Sequence, residues 1–384
     1  MRVLKGMVTA LSCMVLLNAC IKDEPRNNEC DIESAWVQEG EPYEGLFFKK
    51  SQMTIEKIPS NTNEIVFTIR PTASLPEIPV HFTLTQGATI NPANGSPQDF
   101  SKGPVTYTVT SEDGAWKREY KVLVREAELP SFMFSFENVD TEQQGNSTYN
   151  TFFETDQTGN RHNIWASGNQ GVAIVQYNWT PDQFPTKSVA DGYNGKGVCL
   201  NTQYAGDLGK MMGKPIAAGN LFLGNFNMIA VLINPLKSTE FGIPMDKEPI
   251  RVTGYYKYKP GEKFTNSKME ELPGRTDEAS IYAIFYRNED ENGNKIMLYG
   301  DDVFTNENII SIAQVKSLPA TDEWTRFDML FEGSDADPKI LSSLGYNLTL
   351  VFSSSKDGAS FEGAIGSTLY IDEVKVSFKD HEEE

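Results

Sequence analysis

Residues 249–261 read PIRVTGYYKYKPG, and the spacing of the tyrosines decides how the chain folds. Side chains alternate across a β-strand, so Tyr256 and Tyr258 share one face while Tyr255 points away with Thr253. That pattern predicts a half-buried strand with apolar matter on one side. The same signal recurs on both sides of it. Downstream lie SIYAIFY (280–286), WTRFDMLF (324–331), NLTLVF (347–352) and TLYIDEVKV (368–376). Upstream lie FMFSFE (132–137) and GVCLNT (197–202). Short β-branched and aromatic runs separated by Gly, Pro, Asn and Thr predict an all-β protein. In this reading Trp324, at the head of an alternating strand, belongs to a core.

The first half of the chain has the same texture in a smaller unit. EIVFTIR (64–70), VHFTLT (80–85) and VTYTV (105–109) alternate, and a Glu-Asp-Gly turn leads into WKREYKVLV (116–124). There Trp116, Tyr120, Val122 and Val124 would line one face. Strands at this spacing over residues 34–127 predict an immunoglobulin-like β-sandwich without its Cys…Trp…Cys core. Pro130 breaks the last strand. Residues 130–380 then form a larger unit, for which a two-sheet β-jelly roll with long loops is the natural architecture. Helix is scarce: residues 338–344 form a short one, with Asp337 as N-cap, Pro338 in the first turn and Gly345 ending it.

The first 19 residues read as a lipoprotein signal peptide. Arg2 and Lys5 precede an apolar stretch at 6–17 that is too short for a bilayer, which needs about 20 residues. It ends in LNAC, which resembles a bacterial lipobox with Cys20 as the lipidated residue. Residues 20–33 then read as a flexible tether, since IKDEPRNN cannot bury surface. Lys-Asp-Glu behind such a cysteine resembles the surface-export signal of Bacteroidetes lipoproteins, which implies an outer-membrane anchor facing the cell exterior and outer-membrane uptake partners. Cys30 and Cys199 remain, either paired or free.

Of 384 residues 34 are basic and 53 acidic, a formal charge of −19. Such a chain is repelled by phosphate backbones, which argues against nucleic acid as a partner. With His81, His162 and His381 as the only histidines, a zinc site or a Ser-His-Asp triad has little to use.

Three segments carry a family resemblance: PIAAGNLFLGNF (215–226), PIRVTGYYKYKPG (249–261) and FSSSKDGASFEGAIGSTLYIDEVKVSF (352–378). Together they resemble the putative carbohydrate metabolism domain of Bacteroidetes lipoproteins. TQGATINPANGSPQDF (85–100) with VTYTVTSEDG (105–114) resembles the immunoglobulin-like module often found before it. The resemblance implies a jelly roll like that of carbohydrate-binding modules, and brings no catalytic residue. The expected function is non-catalytic glycan binding at the cell surface. The alternatives are a carbohydrate-active enzyme and a non-sugar adhesin or assembly lipoprotein.

Sugars bind on aromatic faces with a few fixed polar groups. Trp165 and Asn169 in NIWASGNQG (163–171), Trp179 in QYNWTP and Tyr193 in DGYN are the candidate oligo- or polysaccharide contacts, each expected in a loop. Glu137 and Asp372, near the two ends of the jelly roll, are candidate ligands of a structural calcium. NEDENG (288–293) mimics an EF-hand start, but Asn292-Gly293 reads as a hairpin turn. Glycoside hydrolysis needs two carboxylates about 5–10 Å apart. Asp301-Asp302, Glu362 and Asp372-Glu373 offer some, as any acidic chain would. Finally, Ser353 to Lys356 spell S-x-x-K, the spacing of a serine–lysine nucleophile pair. A strand precedes the motif and Asp357-Gly358 follows it, so it reads as a polar loop at the edge of a binding groove.

Overall fold

The computed structural model describes residues 25–380 apart from 41, 48, 49, 71, 73, 127–130 and 157. Cys20 and the expected signal peptide lie outside the described residues. The chain divides into two compact units between Ala127 and Glu128.

In the first unit, β1 (Ile32–Val37), β2 (Glu64–Ile69), β3 (Ile78–Leu84), β4 (Val105–Thr110) and β5 (Lys117–Glu126) build two sheets. One pairs β1 with β3; the other has β5 between β2, which runs parallel to it, and β4. Every second side chain turns inward, so Ala35, Val37, Phe67, Val80, Phe82, Tyr107, Tyr120 and Val122 close one apolar core. Trp116 is not part of it: β5 starts one residue later, and the ring is 60% exposed. Nor is the later part of the expected tether free. β1 starts at Ile32, and Asn27 receives a bond from Asp113 N and donates its own N–H to Glu112 Oε2 at 2.8 Å.

The second unit is a two-sheet jelly roll. Its strands are β6 (Ser131–Phe134), β7 (Thr186–Val189), β8 (Gly197–Asn201), β9 (Asn220–Phe226), β10 (Pro249–Lys259), β11 (Ser280–Arg287), β12 (Ile309–Gln314), β13 (Thr321–Leu330), β14 (Tyr346–Ser353) and β15 (Thr368–Phe378). One sheet runs β7-β8-β15-β10-β13, with β6 also paired to β15. The other runs β9-β14-β11-β12 and starts from a two-residue strand, Trp165–Ala166. Between the sheets lie Tyr256 and Tyr258 of β10, Leu369 and Ile371 of β15, and Leu348, Leu350 and Phe352 of β14.

Strand β14 is buried on both faces, because the sheet carries a second apolar layer on its outer side. Phe222, Tyr282, Ile284, Tyr286 and Val351 form that layer. Its buried polar groups are matched: Thr349 Oγ1 donates to Leu223 O at 2.9 Å, and Asn347 Nδ2 to the Tyr286 hydroxyl at 2.9 Å. The 290–295 segment is a tight turn, as Asn292-Gly293 predicts, with Asp290 Oδ1 accepting from the N–H of Asn292 and Asn294.

Among the described residues four short α-helices interrupt the strands: α1 (Asn169–Val175), α2 (Gly206–Met211), α3 (Met228–Ile233) and α4 (Pro338–Ser342). The last is the one read from sequence, and Asp337 caps it by accepting from Lys339 N at 2.8 Å. The stretch expected as a loop around Trp165 becomes strand and helix instead. Among the described residues no helix is long and apolar enough to cross a membrane.

Trp165 packs against Phe134, Phe136 and Phe352, and its Nε1 donates to Glu154 at 2.9 Å. Burial raises the Glu154 pKa, and the indole bond only partly opposes this. A carboxyl raised on folding favours the native state at low pH and weakens it once ionised. Glu154→Gln is therefore expected to gain on the native protein in Tm as pH rises from about 4 to about 8. A Tm difference independent of pH would contradict this.

Candidate functional site

A cavity of about 540 Å³ lies over the outer apolar layer of the β9-β14-β11-β12 sheet. Phe222 and Tyr282 line it from the sheet, Phe304 and Phe361 from loops, and Val172 from α1. Polar groups sit among them: Ser280, Gln314, Ser353, Lys356 and Asp357. The wall holds a single carboxylate among the described residues, Asp357, which is bound to Arg275 at 2.6 Å. Lys214 in the same wall spends its ammonium on Val231 O at 2.7 Å. An enclosed apolar wall with few polar groups is the usual form of a small-ligand site.

Two segments distant in sequence meet in the cavity wall. Residues 215–226 supply Ile216, Ala217, Ala218 and Asn220, and residues 353–361 supply the adjoining edge. They are in direct contact: a Cβ on Gly358 would lie 2.4 Å from the Ala218 Cβ, so only glycine permits this approach. Phe361 holds a left-handed backbone (φ 58°) as its ring enters the wall. Such strain persists only where surrounding contacts fix it.

The serines of the S-x-x-K stretch do that fixing. Ser354 N donates to Gly219 O at 2.9 Å, and the hydroxyls of Ser354 and Ser355 meet Thr202 Oγ1 at 2.7 and 2.5 Å. Beneath them one oxygen of buried Asp277 accepts from Ser355 Oγ (2.6 Å), Ser367 Oγ (2.7 Å) and Ala364 N (2.7 Å). Ser353 donates to Ser355 O, and exposed Lys356 lies 3.8 Å from Glu278. These serines are structural ties, and the loop edges a cavity as its turn residues suggest. Asp277 gave no signal in the sequence, because its partners lie 78 to 90 residues away.

The candidate contacts separate into two groups. Trp165 is in the core and offers no face to a ligand, a correction that follows from the aromatic cluster around it. Asn169 is buried and is likewise removed from any ligand surface. Its Nδ2 donates to Thr186 O at 2.7 Å and its Oδ1 accepts from Thr186 N at 3.2 Å, pinning α1 to β7. Trp179 packs edge-on against Phe184 in a small cluster with Tyr149 and Ala173, so it supports α1 from behind. Tyr193 is exposed, stacked on Tyr255, and does not line this cavity.

Glu137 and Asp372 both clasp the turn at 192–197. Glu137 Oε1 accepts from Lys196 N at 2.7 Å, and Asp372 Oδ2 from Asn194 N at 2.9 Å. A β-bulge aims Asp372 there: Ile371 and Asp372 are buried in succession, and Glu373 takes a left-handed φ of 48°. Burial raises the Asp372 pKa, main-chain N–H groups oppose it, and no ion pair reaches the group among the described residues. Both Asp372 oxygens accept main-chain N–H groups, Oδ2 from Asn194 and Oδ1 from Glu373 at 2.7 Å. No cluster of three or more His, Cys, Asp or Glu suited to a metal gathers among the described residues. The thiols of Cys30 and Cys199 are free.

An immunoglobulin-like sandwich followed by a jelly roll with a loop-walled cavity defines the class: an all-β protein of two sandwich units. Residues 135–377 match the model of the putative carbohydrate metabolism domain, and the chain belongs to that family. Residues 46–124 match the N-terminal domain of surface glycan-binding proteins. Two solved structures are similar, each described as a putative glycoside hydrolase. That from Bacteroides thetaiotaomicron VPI-5482 is 37% identical, with a TM-score of 0.60, covering 94% of this chain and all of its own. That from Bacteroides vulgatus ATCC 8482 is 38% identical, with a TM-score of 0.60, covering 64% of this chain and 98% of its own. None of the curated proteins matches.

Proposed function

We propose that the protein is a cell-surface lipoprotein that captures glycans without cleaving them, holding a sugar in the loop-walled cavity of the jelly roll. The observation that carries this is the meeting of residues 215–226 and 353–361, both inside the matched family domain, in one cavity walled by Phe222, Tyr282 and Phe361. Ring faces suit the C–H surfaces of a pyranose, and Ser280, Ser353, Gln314 and Lys356 suit its hydroxyls. Binding is preferred over hydrolysis because the wall carries one carboxylate, already paired with Arg275, whereas paired-carboxylate hydrolysis needs two. The match of the N-terminal unit to surface glycan-binding proteins supports the same reading, with Cys20 as the anchor and an outer-membrane uptake system as the partner.

Isothermal titration against plant, host and fungal oligosaccharides tests it. Saturable binding without new reducing ends is expected. No binding across the panel would sink the reading, and reducing-end release would replace it with the hydrolase suggested by the names of the solved relatives. Calcium belongs to the reading as a structural ion at Glu137 and Asp372. Calcium after chelation is expected to raise Tm in the native protein and not in Asp372→Asn; equal Tm values with and without calcium would leave the main-chain clasp alone.

A further inference from the structure

The jelly roll has a second cavity, of about 610 Å³, on the outer face of its other sheet. Lys257 and Lys259 of β10, Thr321, Asp322 and Trp324 at the head of β13, Thr368 and Tyr370 of β15 and the loop to Asp191 surround it. Trp324 is half-buried on this face rather than in the core. Beside it the Tyr193 ring lies flat on Tyr255, centroids 3.6 Å apart at 7°, and meets Trp324 edge-on at 6.3 Å. The Lys257 ammonium stands 5.0 Å over the Trp324 ring. Tyr193 remains 46% exposed.

This cluster is held in place. Its turn is the one clasped by Glu137 and Asp372, and Tyr255 pairs across the sheet with Asp372 itself. A wet aromatic cluster fixed from below differs from scattered surface rings, which need no explanation. The four charged groups of the wall, Asp191, Asp322, Lys257 and Lys259, make no ion pair among the described residues. They are two acids and two bases, so the groove is formally neutral.

We propose that this groove is a second glycan-binding site, which takes an internal stretch of a neutral polysaccharide against Tyr193 and Trp324. The inference rests on the glycan reading of the loop-walled cavity and adds a separate contact for long chains. Open aromatic grooves accept chain segments, while unpaired carboxylates and ammoniums bond sugar hydroxyls in either sense. A neutral chain is favoured because a protein of formal charge −19 repels polyanionic glycans. Two sites on one chain raise avidity for a polymer that spans both.

Affinity electrophoresis through neutral β-glucan, xylan and mannan tests this with the whole protein, Trp324→Ala, Trp324→Phe and the cavity variant Ser280→Trp; thermal shift checks each fold. Trp324→Ala is expected to weaken retention by the retarding polysaccharide roughly ten-fold, with Trp324→Phe near native. Its titration with short oligosaccharides should be unchanged. Native retention by Trp324→Ala alongside loss in Ser280→Trp overturns the second site and leaves the cavity reading standing. Loss in Trp324→Ala with native behaviour in Ser280→Trp does the reverse. Absence of retention and of oligosaccharide binding in the native protein overturns both.

Discussion

Replacing Asp277 by alanine is expected to lower stability by about 3 kcal/mol, the largest effect of any single polar substitution in the jelly roll. The carboxylate is 2% exposed, and one of its oxygens gathers two serine hydroxyls and a main-chain N–H. Alanine leaves the Ser367 hydroxyl and the Ala364 N–H buried without this acceptor and Ser355 with Thr202 Oγ1 alone, and each orphaned donor costs about 1–3 kcal/mol before relaxation. For a unit of this size that corresponds to a Tm loss of roughly 6–12 °C. The loss should fall on the site as well, because Ser355 and Ala364 bracket the 355–361 edge of the cavity. Thermal unfolding checks the first part, and a Tm within about 2 °C of native would show that the network is not what holds the loop.

Ser280→Trp is expected to reduce glycan affinity at least about 100-fold, near 2.7 kcal/mol, while leaving the fold intact. Ser280 is half-buried at the start of β11, lines the cavity beside Tyr282, and has no side-chain hydrogen bond to lose among the described residues. Tryptophan is at home in a strand, so its indole is directed into the space a sugar would fill. Unchanged affinity by titration would place the glycan elsewhere.

The strands were legible because their evidence is local. Tyr256 and Tyr258 face inward and Tyr255 outward, as the alternation in PIRVTGYYKYKPG requires. The site was harder, since burial of an aromatic is decided by distant strands. Trp165 sits among Gly and Asn, a loop context, yet Phe134 at the end of β6, Phe136 just beyond it and Phe352 of β14 converge on it. Trp324 shows the converse: its strand is real, but its parity turns it to the outer face. Helix α1 was missed because Gly171, Val172 and Val175 are weak helix formers, and Asn169 and Thr186 hold it by tertiary bonds. The bulge at Asp372 also escapes a period-2 reading, since it places two successive residues inside. What did carry through was the S-x-x-K loop, whose turn residues announced a connection edging a groove.

The most direct test is a crystal structure of the protein with the tightest-binding oligosaccharide. The account predicts a pyranose seated in the cavity over the outer apolar layer, with its C–H face against Tyr282 or Phe361 and its hydroxyls on Ser280, Ser353 or Gln314. Sugar bound away from this cavity, with the cavity empty, would contradict it.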